Sequence, residues 1–424
     1  MSYPDSVRYL YALGNELKVG AKWGLDRMQR LLAELGNPER GQNFIHVAGT
    51  NGKGSTCAMI AGALRAAGHT TGLYTSPHLI EPTERIQIDG RAIGADEFAA
   101  CFERVHTIAE RLIESGAIDA HPSYFETVTA MAFLYLREHA DITVLEVGLG
   151  GRLDATNGIT PALAVITPVA FDHESFLGNT LESIASEKAG ILKAAVPLIL
   201  ARQLETADAV ISSRARELGC PVIRARDCRI SNITADANGS RFQLDGIRYE
   251  CPLRGRHQID NAVTAILACR EMGVPSAAIR AGLKQTSWPG RLEFVSRNPD
   301  FVLDGAHNPA GAQALASYIR EFCANRPVWI VYGAMRDKAI DEVTGQLFPL
   351  ADRLIATAPA FPRALRPEAI LEAHGHPNAV TAPSLHEAIA LARTAPKEAI
   401  VFFTGSLYLV GEVRGILTMA QSLH

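Results

Sequence analysis

The residues best suited to chemistry form a glycine-rich segment near the amino terminus that carries a lysine and two hydroxyl groups. In order they are Gly49, Thr50, Asn51, Gly52, Lys53, Gly54, Ser55 and Thr56. Backbone N–H groups between glycines can close around an anion, and the start of a following helix adds positive charge and a hydroxyl ligand for Mg²⁺. The segment predicts a variant triphosphate-binding loop, in which Gly54 separates the lysine from the hydroxyl. A glycine-rich turn with a surface lysine is the alternative.

A carboxylate within an apolar strand is the next chemical candidate. Glu146 lies in the run 142–148, where a buried carboxylate is costly unless it meets a cation. We therefore interpret Glu146 as a ligand of Mg²⁺ or of its water, with a structural salt bridge as the alternative. The segment 148–157 that follows is glycine-rich and charged. His173 follows the core strand 163–167, where it could bind a second cation or serve as a hydrogen-bonded core histidine.

Five further polar residues are open to a structural and a functional interpretation on residue type alone. Ser76 follows a short strand at a turn fixed by proline. Lys188 lies in a predicted helix, where a solvated lysine is the ordinary interpretation, and Asn261 near the start of another helix could be a cap. Turn chemistry accounts for Asp304 and His307, and only their position at the carboxyl end of a strand favours function.

The hydrophobic pattern predicts alternating strands and helices that would position these residues. The amino-terminal part has strand patterns at 44–47, 70–75, 142–148, 163–167 and 197–200, a hairpin pattern at 84–91, and helix patterns at 95–115, 124–139, 181–190, 204–218 and 257–272. A helix is also expected from near Ser55, and 5–36 predicts two helical pieces joined near 19–20. Strand-then-helix order of this kind predicts an α/β fold with a mostly parallel sheet.

Proline and glycine interrupt the hydrophobic pattern at 288–291, and a second series of alternating strands and helices begins there. Strands are expected at 301–304, 328–332, 353–357 and 399–403, and helices at 309–324, 337–347 and 384–395. Right-handed crossovers between such elements give a doubly wound sheet. We therefore predict a domain that contains the triphosphate-binding loop at 1–290 and a smaller α/β domain at 291–424.

Composition narrows the class of protein. At 424 residues two domains are expected, and a net charge of −4 argues against a nucleic-acid partner. Neither a run of 18 apolar residues nor a charged-then-apolar leader is seen, so we expect a cytoplasmic protein without a membrane partner. The seven cysteines are scattered without a C-x-x-C pair, which favours buried thiols in a reducing compartment over zinc ligands.

The motifs, taken together and in order, resemble the folylpolyglutamate synthase family of the Mur ligase superfamily, including its bifunctional dihydrofolate/folylpolyglutamate synthases. They are Gly-Thr-Asn-Gly-Lys-Gly-Ser at 49–55, Thr-Ser-Pro-His-Leu at 75–79, Glu-Arg-Ile at 84–86, Leu-Glu-Val-Gly-Leu-Gly-Gly-Arg-Leu-Asp-Ala-Thr-Asn at 145–157, Asp-His at 172–173, Glu-Lys-Ala-Gly at 187–190 and Asp-Gly-Ala-His-Asn-Pro at 304–309. The resemblance covers nearly the whole chain, and it implies an ATP-binding amino domain, a smaller carboxyl domain and catalysis in the cleft between them.

The resemblance implies two Mg²⁺ sites. It assigns Ser55 and Glu146 to one ion, and Ser76, Glu146 and His173 to the second. It also assigns an N-carboxylated lysine to the position of Lys188, which replaces the ordinary interpretation given above. The catalytic residues expected on this basis are Lys53, Glu146, His173 and Lys188.

The resemblance also implies the residues that contact substrates. Asn261 and Arg291 would contact ATP, Asp304 and His307 would lie on the glutamate and nucleotide side of the site, and Asp154 would lie near the pterin. We expect ATP, L-glutamate and either dihydropteroate or a reduced folate as small-molecule substrates, and a monomeric enzyme.

The implied activity is ATP-dependent ligation of L-glutamate to folates, and also to dihydropteroate, through an acyl phosphate. Folylpolyglutamate synthase activity alone and a Mur-type amino-acid ligase are alternatives. The chain reads Ile-Glu-Pro-Thr at 80–83, and because loops of this kind vary among enzymes with one or both activities, the sequence leaves the choice of acceptor open. A nucleotide switch without chemistry is disfavoured, because a switch needs no second metal site.

Overall fold

The polypeptide forms two structural units, each with its own largely parallel sheet. A computed structural model describes residues 1–14, 24–336 and 339–421. Unit 1 comprises 1–169, 180–228 and 261–285, and unit 2 comprises 170–179, 229–260 and 286–424. The predicted joint near 19–20 lies outside the described residues.

Unit 1 is organised around a sheet of eight strands within its described residues. They are β1 (Phe44–Ala48), β2 (Thr71–Tyr74), β3 (Ile86–Ile88), β4 (Arg91–Ala92), β5 (Ile142–Glu146), β6 (Leu163–Ile166), β7 (Leu198–Leu200) and β8 (Val222–Arg224), in the order β4-β3-β2-β5-β1-β6-β7-β8. From β2 onward all neighbours in this order are parallel, and β3 and β4 form an antiparallel hairpin at one edge. β1, β5 and β6 are buried along their whole length, which explains their mostly apolar sequences.

The strands of unit 2 form two separate sheets in the part of the chain that the structure describes. An antiparallel sheet contains β9 (Ile230–Asp236), β10 (Gly239–Leu244) and β11 (Ile247–Cys251). The larger sheet contains β12 (Glu293–Ser296), β13 (Asp300–Leu303), β14 (Val328–Tyr332), β15 (Arg353–Ala356), β16 (Ala379–Thr381) and β17 (Ile400–Thr404), in the order β12-β13-β17-β14-β15-β16. Its neighbours are parallel except for the edge pair of β12 and β13.

Helices cover these sheets. In chain order they are α1 (Tyr3–Ala12), α2 (Asp26–Glu34), α3 (Lys53–Ala66), α4 (Ala95–Glu114), α5 (Tyr124–His139), α6 (Glu174–Leu177), α7 (Leu181–Ala189), α8 (Glu205–Glu217), α9 (His257–Glu271), α10 (Ser276–Lys284), α11 (Pro309–Phe322), α12 (Ile340–Leu347), α13 (Pro367–Ala373), α14 (Leu385–Ala392) and α15 (Leu407–Gln421). Within the described ranges, none of the helices combines the length and the hydropathy that a transmembrane span requires.

The helix that follows the glycine-rich loop is held by unusually close packing. A Cβ at Gly282 in α10 would overlap the backbone of Ala63 in α3. The run of small residues in α3 therefore lets the two helices approach closely. Elsewhere in unit 1, α1, α2, α4 and α5 enclose a core with fully buried rings such as Phe102 and Phe133, and burying such a side chain contributes about 2–3 kcal/mol.

The predicted α/β fold is confirmed, and the predicted strands lie within two residues of those observed. The helix expected from near Ser55 begins at Lys53. The pattern missed the edge strands β8, β12 and β16 and the helices α6, α10, α13 and α15. β12 directly follows the proline and glycine at 288–291, and its residues are only half-buried, so its apolar signal is weak.

Candidate active site

The predicted triphosphate loop joins β1 to α3, and two of its glycines are required for separate reasons. Gly49 has a φ of 144°, and a Cβ there would overlap Thr167 Oγ1 at the end of β6. Gly52 has a φ of 83°, in the left-handed region that favours glycine, and a Cβ there would overlap Asn261 Oδ1. The second contact brings the predicted residue Asn261, which is buried in α9, against the loop.

Hydrogen bonds fix the loop against the sheet, and the amino-terminal end of α3 faces the loop. The N–H groups of Thr50 and Asn51 both donate to the Pro168 carbonyl, at 3.0 and 3.2 Å. The Lys53 Nζ donates to the carbonyls of Gly49 (3.1 Å) and Thr50 (3.2 Å), so the ammonium lies over the loop. Because the first N–H groups of a helix have no acceptor within it, the start of α3 directs donors and partial positive charge toward the same place.

Glu146 and Ser76 lie at the same edge of the sheet as the loop. Val47 of β1 pairs with Glu146 of β5, and β5 in turn pairs with β2, which leads into Ser76. The Ser76 N–H donates to Glu146 Oε2 at 3.2 Å. Glu146 is buried at 4 % exposure. Burial and the Glu146 carboxylate raise the pKa of the Cys57 thiol, whereas the Lys53 charge opposes this shift. Glu146 and Lys53 therefore both lie close enough to Cys57 to affect its pKa.

The donors beside the loop fit a magnesium ion. Mg²⁺ prefers oxygen ligands, and the Ser55 and Thr56 side chains are buried next to the loop at 2 % and 0 % exposure. Thr56 Oγ1 is buried without a hydrogen-bond partner, which costs free energy unless another group uses the oxygen. These hydroxyls at the start of α3 and the Glu146 carboxylate at the end of the neighbouring strand β5 are the kinds of oxygen ligand that a nucleotide-bound Mg²⁺ takes.

The charged glycine-rich segment after β5 is folded around Asp154. One carboxylate oxygen of Asp154 accepts the Leu149 N–H (2.9 Å), and the other accepts the Thr156 N–H (3.0 Å) and the Thr156 hydroxyl. Burial raises the pKa of the Asp154 carboxyl, and these hydrogen bonds oppose the shift. Asp154 therefore fixes the shape of the segment, and its predicted place near a pterin remains a prediction.

The same segment packs on the helix that carries Lys188. A Cβ at Gly151 would lie 2.7 Å from the Glu187 carbonyl and 3.2 Å from the Lys188 Cα, and the Arg152 N–H donates to the Glu187 carbonyl at 2.9 Å. Lys188 is buried at 4 % exposure in α7. A buried position is unusual for a lysine and excludes the solvated helical lysine that residue type alone suggests.

In unit 2 two histidines share one carboxylate. His173 Nε2 lies 3.8 Å from Asp172 Oδ1, and His307 Nε2 lies 3.4 Å from Asp172 Oδ2. The Asn308 amide donates to Asp172 Oδ2 at 3.0 Å. His173 has a φ of 52° and stands at the start of α6. Asp172 and Asn308 were absent from the predicted site residues, although both belong to the motifs that carried the resemblance.

Asp304 and Arg291 also meet in unit 2. Asp304 accepts the N–H groups of Leu292 and Ala306, both at 3.0 Å. A Cβ at Gly305 would overlap the Arg291 guanidinium, which therefore crosses the turn next to Asp304. Burial raises the pKa of the Asp304 carboxyl, and the Arg291 charge opposes the shift. The structure thus brings the Arg291 guanidinium next to the strand-to-helix turn that carries Asp304 and His307.

Comparison with known proteins defines the class to which this architecture belongs. The Mur ligase middle domain matches residues 47–269, and the Mur ligase glutamate ligase domain matches residues 290–407. With a phosphate loop in the first and a doubly wound sheet in the second, the chain is an ATP-dependent ligase of the Mur ligase superfamily that forms amide bonds.

Full-length relatives narrow the class to one family. The chain is 36 % identical to the dihydrofolate synthase/folylpolyglutamate synthase of Bacillus subtilis, over 97 % of this chain and 98 % of the relative. It is also 36 % identical to the folylpolyglutamate synthase of Lacticaseibacillus casei over the full length of both. The crystal structure of Mycobacterium tuberculosis folylpolyglutamate synthase complexed with ADP and AMPPCP covers 98 % of this chain and 99 % of that chain, with 32 % identity and a TM-score of 0.90. The chain belongs to the folylpolyglutamate synthase family, as the sequence motifs predicted.

Proposed function

We propose that the chain joins L-glutamate to the γ-carboxylate of folates and also to dihydropteroate, at the expense of ATP. The single observation that carries the proposal is the buried Glu146 carboxylate beside the Lys53 loop, in a chain of this family. We assign nucleotide binding to 1–290 and glutamate ligation to 291–424. The family matches at 47–269 and 290–407 support that division.

The chemistry follows from the poor reactivity of a carboxylate. In the first step a carboxylate oxygen attacks the γ-phosphorus of ATP, the bond to the β-phosphate oxygen breaks, and an acyl phosphate and ADP form. In the second step the neutral amine of glutamate attacks the acyl carbon, loses a proton, and phosphate leaves with the bonding electron pair. The Lys53 ammonium and the N–H groups at the start of α3 would stabilise the charge that develops on the phosphates.

Two Mg²⁺ ions are part of the proposal. Ser55 and Glu146 would hold one, and Ser76, Glu146 and His173 would hold the second. When bound, such ions neutralise phosphate charge and orient its oxygens. The buried position of Ser55 at the start of α3 supports the first ion, and the Ser76–Glu146 hydrogen bond supports the shared use of that carboxylate.

Lys188 is proposed to be N-carboxylated. Burial in α7 disfavours an ammonium ion, and a carbamate would replace it with an anion able to orient cations. The packing of Gly151 and Arg152 on this turn of α7 would hold that anion in place.

The remaining predicted residues are proposed to contact substrates. Asn261, packed against Gly52, and Arg291 would contact ATP. Asp304 and His307 would position glutamate and the nucleotide, while Asp154 would shape the segment near the pterin. We further propose that the chain acts as a monomer in the cytoplasm. None of the seven cysteines, all of which lie in the described ranges, forms a disulfide bond, which supports a reducing compartment.

An ADP-release assay tests the proposal. With Mg·ATP and L-glutamate, we expect ADP release when dihydropteroate is added and, separately, when a reduced folate is added. Release with the folate alone would reject the dihydrofolate synthase activity. Release only with a UDP-muramoyl acceptor would assign a Mur-type ligase instead, and glutamate-independent hydrolysis would reject the ligase proposal.

A further inference from the structure

A second cluster of ligand-type side chains lies in unit 1 and uses none of the residues described above. His106 and Glu110 lie on α4, one helical turn apart, and His121 lies in the connection between α4 and α5. One ligand atom from each residue lies within 4.8 Å of the other two. Among the described residues, no second trio of histidine, cysteine or carboxylate side chains comes together in this way.

Two of the three distances within the cluster are close to those around a tetrahedral ion. Glu110 Oε1 lies 3.6 Å from His106 Nδ1 and 3.6 Å from His121 Nε2. Ligands bound to zinc at roughly 2.0–2.2 Å are separated from one another by about 3.4 Å. For these two pairs an adjustment of a few tenths of an ångström would suffice, and the ligand nitrogens of the two histidines lie within 4.8 Å of each other.

The two imidazoles present unused nitrogens to the cluster. His106 Nδ1 and His121 Nε2 are buried and have no hydrogen-bond partner. His121 Nδ1 lies 2.9 Å from the Pro122 carbonyl, which can only accept, so in the neutral imidazole the proton is on Nδ1 and the lone pair is on Nε2. A hydrogen bond from the second ring nitrogen to a carbonyl is the usual support of a histidine that binds a metal.

Neighbouring aromatic residues hold the other two ligands in orientation. The Tyr9 hydroxyl donates to Glu110 Oε1 at 3.2 Å. The His106 ring stacks on Phe102, with centroids 5.5 Å apart and an interplanar angle of 12°, and meets Tyr9 edge-on at 4.6 Å. The side chains are thus preorganised, with little rotamer freedom left to lose on binding.

A purely structural interpretation leaves polar atoms unsatisfied. At 3.6 Å the contacts are too long for hydrogen bonds, and two buried nitrogens without partners are costly. We propose that His106, Glu110 and His121 bind Zn²⁺, with water completing the coordination beside the partly exposed Glu110. The ion would tie α4 to the segment that leads into α5, so its role is to stabilise unit 1.

Metal titration of the full chain tests this proposal, with saturating Mg·ATP present so that the nucleotide site is occupied. Co²⁺ serves as the spectroscopic probe and Zn²⁺ as its competitor. We expect one equivalent of Co²⁺ with the intense visible bands of tetrahedral coordination, displaced by one equivalent of Zn²⁺. Zn²⁺ should also raise the Tm, because it binds the folded state.

Variants locate the site. His121→Ala and Glu110→Gln should weaken Zn²⁺ binding by more than about 100-fold, and Tyr9→Phe by about 10-fold, the range for a residue that supports a ligand. His69→Ala, which removes an exposed histidine, should bind as the unaltered chain does. ADP release should persist in all four variants, which shows that each is folded. Absence of stoichiometric Zn²⁺ binding, or equal binding by His121→Ala, would overturn the proposal.

Discussion

Lys53 supplies the positive charge of the predicted phosphate loop. Its Nζ contacts two loop carbonyls, so its position is set by the loop itself. Lys53→Ala should retain the fold and lower kcat/KM for ADP release by about 100-fold or more, the effect of removing one preorganised donor. Lys397→Ala, at an exposed lysine, is the matched control and should be unaffected. Turnover of Lys53→Ala at the rate of the control would remove the loop assignment.

Substitution of Glu146 distinguishes a metal ligand from a carboxylate with a purely structural role. Glu146→Gln keeps the size of the side chain and an acceptor for the Ser76 N–H, yet it removes the charge. Activity should fall, and the Mg²⁺ concentration for half-maximal ADP release should rise at least 10-fold, because a neutral amide is a poorer Mg²⁺ ligand. A Mg²⁺ dependence identical to that of the unaltered chain contradicts the ligand role.

Substitution of Gly52 tests whether ATP binding depends on the contact between the loop and Asn261. Gly52→Ala places a methyl group on the Asn261 amide at a positive φ, so ATP affinity should fall at least 10-fold. Gly68→Ala is the control for backbone strain alone, because Gly68 has a φ of 94° but no atom within 4 Å of a Cβ. It should cost about 1 kcal/mol of stability and leave ATP affinity intact. Equal affinities for the two variants, measured by calorimetry, would refute the contact.

The limits of residue-level prediction are clear from two acidic side chains. Glu146 could be predicted because a charge within an apolar strand is anomalous in the sequence itself. Asp172 could not, because its importance rests on Asn308 and His307, which lie more than 130 residues away. Local patterns carry no information on such pairs.

At the scale of elements, the start of α5 is stabilised both by a local sequence motif and by a residue from a distant part of the chain. The Ser-x-x-Glu spacing of Ser123 and Glu126 is a local sequence signal for a helix start, and the structure contains the corresponding capping box. Arg27 in α2 adds a two-pronged ion pair to the same carboxylate, at 2.7 to 3.1 Å. The pattern of either helix alone could not show that they are joined.

This ion pair gives a stability prediction. The Arg27 and Glu126 side chains are only 20 % and 10 % exposed, so Glu126→Gln should lower the free energy of unfolding by about 2 kcal/mol, less than for a fully buried pair. Glu217→Gln breaks the exposed pair with Arg214 and should cost less than about 0.5 kcal/mol. Urea unfolding measures both. Equal losses would show that the partial burial of the pair is unimportant.

At the scale of the whole molecule, buried histidines make stability depend on pH. Burial lowers the pKa of His46 to about 3 and that of His257 to about 4, and it holds the pKa of His78 well below its usual value. A histidine whose pKa is lowered by folding takes up a proton on unfolding. Its stabilising contribution is complete above about pH 6.5 and is lost as the pH falls toward 3.

Substitution of His46 tests this pH dependence of the unfolding free energy. At pH 5 an unfolded histidine is protonated and His46 in the fold is neutral, so His46→Asn should reduce proton uptake on unfolding by about one. The slope of unfolding free energy against pH should fall by about 1.4 kcal/mol per pH unit. His69→Ala, at an exposed histidine, should leave the slope unchanged. An unaltered slope in His46→Asn would show that His46 is not held neutral.

Whole-molecule organisation was predictable only in outline. Alternating strands and helices indicated two parallel sheets, because that pattern has few other solutions. The sequence did not indicate that 170–179 and 229–260 belong to unit 2, since the chain leaves and re-enters a unit without any break in its local pattern. Membership of a unit is decided by tertiary contacts.

Oxygen transfer tests the central claim most directly, namely that the acid is activated by phosphorylation. A folate labelled with ¹⁸O in both oxygens of its γ-carboxylate is incubated with unlabelled ATP, Mg²⁺ and L-glutamate, and the released phosphate is analysed by mass spectrometry. The acyl phosphate route predicts one ¹⁸O atom in each phosphate and the other in the new amide. Phosphate without ¹⁸O, released while amide forms, would contradict it.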